Sequence, residues 1–282
     1  MGDGSLFFER YEAVLARWPV PVESLDVPSR YGSTRVHVCG PPDAPPVVLL
    51  PGGGTTSVVW YANAGELARD HRVYAVDLMG DIGRSLHNGA PLRGPDDLMA
   101  WLDLLVRELD LAGADLCGHS YGAWIALRYA LHAPDRIGRL ALLDPVACFG
   151  EPGPRYVLRA LPVLLRRTPE RVRGLHEWES GGPAGDPVWR AFLESTGTVR
   201  PSKVVTMRRP KAAELRSCSV PTLVALAGES RAHAVGRVAA TARTLMPAAR
   251  VVTLPGASHH SLPQERPAEL NRVLTEFLAP AP

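Results

Sequence analysis

The chain has 282 residues, of which 46% are hydrophobic and 21% are charged, a length and a balance typical of a globular enzyme built on one large domain. The formal net charge of +2 argues against nucleic acid or an anionic membrane as the main partner. The four cysteines lack the spacing of a metal site, and no segment reads as a signal peptide or a membrane span. We therefore expect a cytoplasmic protein that binds no metal.

The chain alternates between short apolar segments and amphipathic ones. Residues 47–50 are continuously apolar, which predicts a strand buried on both faces, as in a parallel sheet. The alternation of strands with helices predicts right-handed crossovers and a mostly parallel, twisted sheet with helices on both faces. The predicted elements up to residue 143 are a helix (6–18), three strands (22–27, 34–38 and 47–50), a helix (58–69), a strand (73–76), a helix (95–109), a strand before residue 118, the helix that follows residue 120, and a strand (139–143).

This alternation stops at Pro145 and resumes at Pro221. The roughly 75 residues between them are too many for a plain loop in a compact domain. Leucines at helical spacing and a glycine-rich break near residue 183 predict a helical insertion over the carboxyl edge of the sheet. We predict a cap formed by residues 145–217 and a core formed by residues 1–144 and 218–282. The elements predicted after the cap are a strand (221–227), a helix (234–246), a strand (250–254) and a helix (267–278).

The segment Gly118-His119-Ser120-Tyr121-Gly122 joins a short apolar strand to a helix. A serine between two glycines at such a joint takes a strained backbone conformation, and the flanking positions have no room for side chains. Its hydroxyl is held out at the carboxyl edge of the sheet, and N–H groups at the start of the helix face the group that it attacks. The pattern therefore predicts that Ser120 is a nucleophile.

Over roughly residues 22–278, the chain resembles members of the α/β-hydrolase superfamily that carry a cap. The segments that carry the resemblance occur in the order of that family: the glycine run 52–54, Asp77 with Gly83-Arg84-Ser85, the segment around Ser120, Leu143-Asp144-Pro145, and the loop 256–259. The resemblance implies the α/β-hydrolase fold, a Ser–acid–His triad, and no metal or organic cofactor.

The resemblance assigns the base of the triad to His259, in a glycine loop after the last strand. A histidine whose pKa is near neutral is suited to taking the proton of the serine hydroxyl. His260 is the alternative, but its side chain points elsewhere in an extended loop, so we favour His259.

A tetrahedral intermediate carries negative charge that two backbone N–H groups usually stabilise. Tyr121, directly after the nucleophile, is expected to supply one, and Gly53 the other, with Gly54 as the alternative. No Lys-Ser or Lys-Thr follows the glycines, which argues against a phosphate-binding loop. The chain departs from relatives at Pro51, where a histidine is common.

The sequence offers more than one candidate for the acid of the triad. Relatives usually carry an aspartate shortly after the strand that here is 223–227, but this chain has Gly228-Glu229-Ser230-Arg231. Asp144, at the carboxyl end of the preceding strand, resembles the arrangement in some lipases of the family. We predict that Asp144 is the acid, with Glu229 as the alternative and a Ser–His dyad as a third option.

These residues predict a hydrolase that cleaves a small-molecule ester, thioester or lactone, free or attached to a carrier, through an acyl-enzyme on Ser120. Two alternatives stay open: a lyase or cyclase of the same fold that tailors a natural product, and a ligand-binding signalling protein without turnover. We expect some aromatic residues of the cap to line an apolar pocket above Ser120, and its arginines to form a solvated helix face. The aromatic residues are Phe149, Tyr156, Trp178, Trp189 and Phe192, and the arginines are Arg155, Arg159, Arg166, Arg167, Arg171 and Arg173.

Overall fold

The computed structural model describes residues 4–265 and 267–279. The strands in these ranges are β1 (Glu23–Ser29), β2 (Gly32–Cys39), β3 (Pro46–Leu50), β4 (Arg72–Val76), β5 (Leu86–His87), β6 (Ala114–His119), β7 (Ile137–Leu143), β8 (Thr222–Ala227) and β9 (Arg250–Leu254). They form one sheet in the order β1-β2-β4-β3-β6-β7-β8-β9, with β5 paired to β2. The pairs of β2 are antiparallel, and every pair from β4 to β9 is parallel. The carboxyl ends of β3, β6, β7, β8 and β9 therefore lie along one edge.

The helices agree with the predicted elements except in one segment. They are α1 (Ser5–Leu15), α2 (Ala64–Leu67), α3 (Pro95–Glu108), α4 (Tyr121–His132), α5 (Pro154–Leu165), α6 (Pro169–Ser180), α7 (Pro187–Ser195), α8 (Ala212–Arg216), α9 (Val235–Leu245) and α10 (Pro267–Leu278). The predicted continuous helix over 58–69 is wrong, because a 3₁₀ helix, Ser57–Ala62, precedes the short α2. Val58, Val59 and Gly65 have low helix propensity. Gly65 also lies where a Cβ atom would come within 2.3 Å of Pro19.

Two apolar cores lie on opposite faces of the sheet, and β3 contributes to both. Val48 and Leu50 pack in the core that includes side chains of α3, α4 and α9. Val47 and Leu49 pack in the core that includes side chains of α1, α2 and α10. These four side chains are at most 2% exposed. The prediction that residues 47–50 form a strand buried on both faces is confirmed.

Four helices, α5–α8, lie between β7 and β8 in the chain. Two of the aromatic residues in this segment pack away from Ser120: Phe192 of α7 lies 5.8 Å, ring to ring, from Phe7 of α1, and Trp189 contacts Phe192. On α5, by contrast, Leu158, Leu164 and Leu165 are 70–77% exposed. The helical spacing of these leucines predicted the helix, but it carried no information about which neighbours would cover it. No helix in the described ranges combines the length and apolar character needed to cross a bilayer.

Candidate active site

Ser120 lies at the sharp turn between β6 and α4. Its backbone has φ 54° and ψ −111°, in a region that residues with a side chain rarely adopt. A Cβ atom on Gly118 would lie 2.3 Å from the carbonyl oxygen of Gly122, and one on Gly122 would lie 2.3 Å from that of Leu50. Both glycines are therefore required by the close approach of neighbouring backbone. The half-buried Ser120 side chain is held at the carboxyl end of β6.

The side chains of Ser120, His259 and Asp144 form one chain of hydrogen bonds. The Ser120 Oγ atom lies 2.8 Å from His259 Nε2. The other ring nitrogen, Nδ1, lies 2.6 Å from Asp144 Oδ2. Because a carboxylate only accepts, Nδ1 carries the proton and Nε2 accepts from the serine hydroxyl. The structure thus brings together the three side chains that the sequence analysis named, in the order Ser–His–Asp.

Asp144 is held at the end of β7 by contacts with the neighbouring strand and loop. Its backbone φ of 40° is in the left-handed region, and its N–H donates to the carbonyl oxygen of Ala225. Its Oδ1 atom accepts from the N–H of Ala227 at 3.0 Å, and Oδ2 accepts from Ser230 Oγ at 2.7 Å. The carboxylate is fully buried. Glu229, the alternative acid, is exposed instead.

Asp144 also has a second histidine beside it, which the sequence analysis missed. His233 Nε2 lies 3.1 Å from Asp144 Oδ1, but neither ring nitrogen of His233 is oriented for a hydrogen bond to a described residue. Burial alone would raise the pKa of Asp144. The adjacent His233 and His259 rings outweigh that effect and lower the pKa. The carboxylate is therefore charged near neutral pH.

His259 is fixed through its backbone as well as its ring. The ring of His119, at the elbow, donates from Nε2 to the carbonyl oxygen of His259 at 2.8 Å, and the N–H of His259 donates to Glu179 at 2.9 Å. Burial opposes protonation of His259, but the hydrogen bond and the charge of Asp144 prevail and raise its pKa. Burial lowers the pKa of His119 to about 3, so this ring is neutral. His119 was visible in the sequence as part of the elbow, but no local pattern indicated its contact with His259.

His260, the alternative base, points away from Ser120. Its ring stacks on His176 of α6 at 5.0 Å between centroids, and its Nε2 lies 3.4 Å from the hydroxyl of Tyr156. The Tyr156 ring also lies 5.8 Å from the His259 ring. Of the aromatic residues that were expected to line a pocket above Ser120, Tyr156 is the one in ring contact with His259.

The glycine run brings the backbone N–H of Gly53 next to the residue that follows the nucleophile. The N–H of Gly54 donates to Asp81 Oδ2 at 2.8 Å, so it is already engaged. Among the described residues, no acceptor pairs with the N–H of Gly53 or with that of Tyr121, the first residue of α4. A Cβ atom on Gly53 would lie 3.3 Å from that of Tyr121, so the two residues are neighbours. This arrangement matches the predicted pair, Gly53 and Tyr121, rather than Gly54.

Arg167 contacts this glycine loop from the insertion. Its Nη2 donates to the carbonyl oxygen of Gly54 at 2.6 Å, and its Nε to that of Thr196 at 2.8 Å. Burial lowers the pKa of Arg167. The expected solvated face therefore does not include Arg167. The other five arginines are exposed, but they belong to two helices and the segment between them rather than to one helix face: Arg155 and Arg159 of α5, Arg166, and Arg171 and Arg173 of α6.

Asp77 lies in a segment that carried the family resemblance. It belongs to a separate buried network of hydrogen bonds and not to the one that joins Ser120, His259 and Asp144. Its Oδ1 accepts from the N–H and the hydroxyl of Ser57, at 2.8 and 2.6 Å. Its Oδ2 accepts from the N–H of Arg84 at 2.7 Å and from the Tyr11 hydroxyl at 3.0 Å. These contacts tie α1 and the loop after β4 to the sheet.

A cavity of about 560 Å³ lies between the end of α1, the 3₁₀ helix and the segment before α7. Its lining includes Arg17, Tyr61 and Trp189, but none of the residues around Ser120 described above. The described ranges contain no cluster of His, Cys, Asp and Glu side chains arranged to bind a metal.

The sequence matches a model of the alpha/beta hydrolase family over residues 47–273. The chain belongs to this family. Carboxylesterase YbfK of Bacillus subtilis (strain 168) is 34% identical over 146 residues, which are 52% of this chain and 49% of that protein. The alignments span about half the length of the curated relatives that this chain matches.

Two solved structures of the family are similar over nearly the whole chain. The carboxylesterase CesB (YbfK) from Bacillus subtilis superposes with a TM-score of 0.90 at 25% identity, covering 98% of each chain. The naproxen esterase (carboxylesterase NP) from Bacillus subtilis superposes with a TM-score of 0.91 at 25% identity, covering 98% of this chain and 99% of that one. The predicted fold, an α/β-hydrolase with a mostly parallel sheet, is confirmed.

Proposed function

We propose that this α/β-hydrolase cleaves carboxylic esters through an acyl-enzyme on Ser120. The observation that carries the proposal is the continuous hydrogen-bond chain from Ser120 Oγ through His259 to Asp144. The similarity to proteins named carboxylesterase YbfK and naproxen esterase supports an ester as the substrate. We further propose that residues 145–217 act as the cap of the site and that the substrate is a small molecule.

In the acylation half of the reaction, the Ser120 hydroxyl attacks the ester carbonyl while its proton passes to His259 Nε2. A C–O bond forms, and the carbonyl π electrons move onto the oxygen. In this proposal the N–H groups of Gly53 and Tyr121, which pair with no acceptor in the part of the chain that the structure describes, donate to this oxyanion. Loss of one such donor typically costs about 3–4 kcal/mol of barrier stabilisation. The tetrahedral intermediate then collapses, and His259 returns the proton to the departing alcohol.

In the deacylation half, water takes the place of the alcohol. His259 removes a proton from the water, which attacks the acyl-enzyme, and the same proton returns to Ser120 as the carboxylic acid leaves. In both halves the imidazole becomes a cation. The buried Asp144 carboxylate on Nδ1 stabilises that charge and fixes the tautomer. Thioesters and lactones present the same reacting carbonyl, and the same residues would serve them.

A panel of p-nitrophenyl esters and acyl thioesters of graded chain length tests the proposal. The wild type is expected to turn over part of the panel, and Ser120→Ala to lose roughly 10⁴–10⁶-fold in kcat, the range for a missing triad nucleophile. Ser217→Ala is the control, because Ser217 is exposed and its hydroxyl contacts only the end of α8. A fluorophosphonate should label Ser120 alone. Labelling at another serine, or none in the folded protein, would refute the proposal.

A further inference from the structure

One buried carboxylate of the insertion reaches the backbone of the His259 loop. Glu179, near the end of α6, is 1% exposed. Its Oε1 accepts from the N–H of His259 at 2.9 Å and from that of Arg231 at 3.1 Å. Its Oε2 accepts from the N–H of His260 at 2.9 Å. One side chain thus joins α6 to the loop after β8 and to the loop after β9.

All three donors are backbone N–H groups, and their hydrogen bonds to the carboxylate of Glu179 are of the charge-assisted kind. Each of its oxygens accepts from at least one backbone N–H, so neither oxygen is without a donor. In the described ranges, no Lys or Arg side chain forms an ion pair with Glu179. Its charge is therefore offset by N–H dipoles and remains close to the His259 imidazole.

We infer that Glu179 is a positioning residue for His259: it fixes the backbone of the His259 loop and adds a second negative charge beside the imidazole. The inference rests on the proposed function, in which His259 is the general base. The charge of Glu179 acts on the His259 pKa in the same direction as that of Asp144, upward. Glu179 does not touch the Ser120 hydroxyl, so it acts through His259.

The other ionisable groups around Glu179 leave His259 as the histidine that titrates. Burial lowers the pKa of His176 to about 4, and burial lowers that of His260 well below its ordinary value. Both rings are therefore neutral near pH 7. The groups that face Glu179 are His176 from its own helix, Tyr156 from α5, Arg231 from the loop after β8, and His259, His260 and Glu265 from the segment after β9.

The test uses Glu179→Gln and measures the rate at which a fluorophosphonate labels Ser120 between pH 5 and 9. This readout needs no knowledge of the natural substrate. An amide has one accepting oxygen and would turn its NH₂ group towards a backbone N–H, so the His259 loop shifts. We expect the plateau rate to fall roughly ten- to a hundredfold. We also expect the pH midpoint to move down by on the order of 0.5–1 unit, because a negative charge near the imidazole is lost.

Glu177→Gln is the matched control. Glu177 lies on the same helix, is half-buried and makes no contact with the His259 loop. Its substitution by glutamine removes the same charge from α6. A role in packing alone would slow labelling but leave the midpoint in place. If the Glu179→Gln and Glu177→Gln profiles coincide while the wild type is labelled at Ser120, the inference is wrong and the proposed function stands. If the folded wild type is not labelled at all, both are wrong.

Glu179→Asp covers the case in which the glutamine variant fails to fold. The shorter side chain keeps the charge but cannot reach all three N–H groups. We expect the midpoint to stay within about 0.3 unit of the wild type and the plateau rate to fall at least about fivefold. A wild-type plateau rate for Glu179→Asp would overturn the positioning role.

Discussion

Asp144 and His259 are 115 residues apart in the chain, yet Asp144 Oδ2 and His259 Nδ1 are 2.6 Å apart. Their strands, β7 and β9, are not neighbours, because β8 lies between them. Asp144 spans this gap by lying across the end of β8, where its Oδ1 accepts the N–H of Ala227 at 3.0 Å. The left-handed backbone at Asp144, with φ 40°, directs the side chain towards the His259 loop.

This relationship predicts the effect of neutralising Asp144. Asp144→Asn is expected to lower kcat by about 10⁴-fold, because an amide on Nδ1 selects the wrong tautomer and cannot stabilise the imidazolium. Glu229→Gln is the matched control and is expected to change kcat less than about threefold, because Glu229 is exposed. The measurement is the kcat of the wild type and both variants with one ester of the panel, taken from steady-state kinetics. The reverse ranking of the two variants would assign the acid to Glu229.

The raised pKa of His259 predicts the acidic limb of the pH profile. The imidazole accepts a proton only when it is neutral, so activity falls as the pH drops through the His259 pKa. Although burial works against protonation, Asp144 raises this pKa above the ordinary value of 6.5. We therefore expect the acidic limb of kcat/KM to have its midpoint above pH 6.5, and the residual activity of Asp144→Asn to have its midpoint lower. A wild-type midpoint below pH 6 would contradict the assignment of His259 as the base.

The elbow glycines predict a change in stability. In Gly122→Ala the added methyl group would lie 2.3 Å from the carbonyl oxygen of Leu50 and 2.4 Å from that of Pro51. The backbone at the start of α4 or at the end of β3 must move, so we expect the free energy of unfolding to fall by about 3 kcal/mol. In Gly174→Ala, on the exposed face of α6, the methyl group meets no atom within 4 Å. That variant should be neutral or gain about 0.5–1 kcal/mol, since alanine is the better helix former. Urea unfolding of both variants measures the contrast, and equal losses would show that the elbow is not sterically constrained.

Some features of this protein depend on neighbours in the sequence, and these were predictable. The sharp turn at Ser120 follows from the glycine before it at a strand-to-helix joint, because a Cβ atom on Gly118 would meet the carbonyl oxygen of Gly122, only four residues away. The burial of β3 on both faces follows from four consecutive apolar residues. Alternating apolar and polar residues would instead have left one face of the strand exposed to solvent. The resemblance placed His259 in the last loop, and the Nε2 atom of His259 lies 2.8 Å from Ser120 Oγ.

Other features depend on which loops meet at the edge of the sheet, and the sequence left these open. Gly53 is favoured over Gly54 as the proposed donor because the N–H of Gly54 already donates to Asp81, a residue of another loop. Asp144 is favoured over Glu229 as the proposed acid because its Oδ2 atom lies 2.6 Å from His259 Nδ1, whereas Glu229 is exposed. No local sequence pattern indicated the contacts of Glu179, because its three N–H partners come from two distant loops. Hydrogen bonds between loops need a direction as well as a distance, and only the packed tertiary structure determines both.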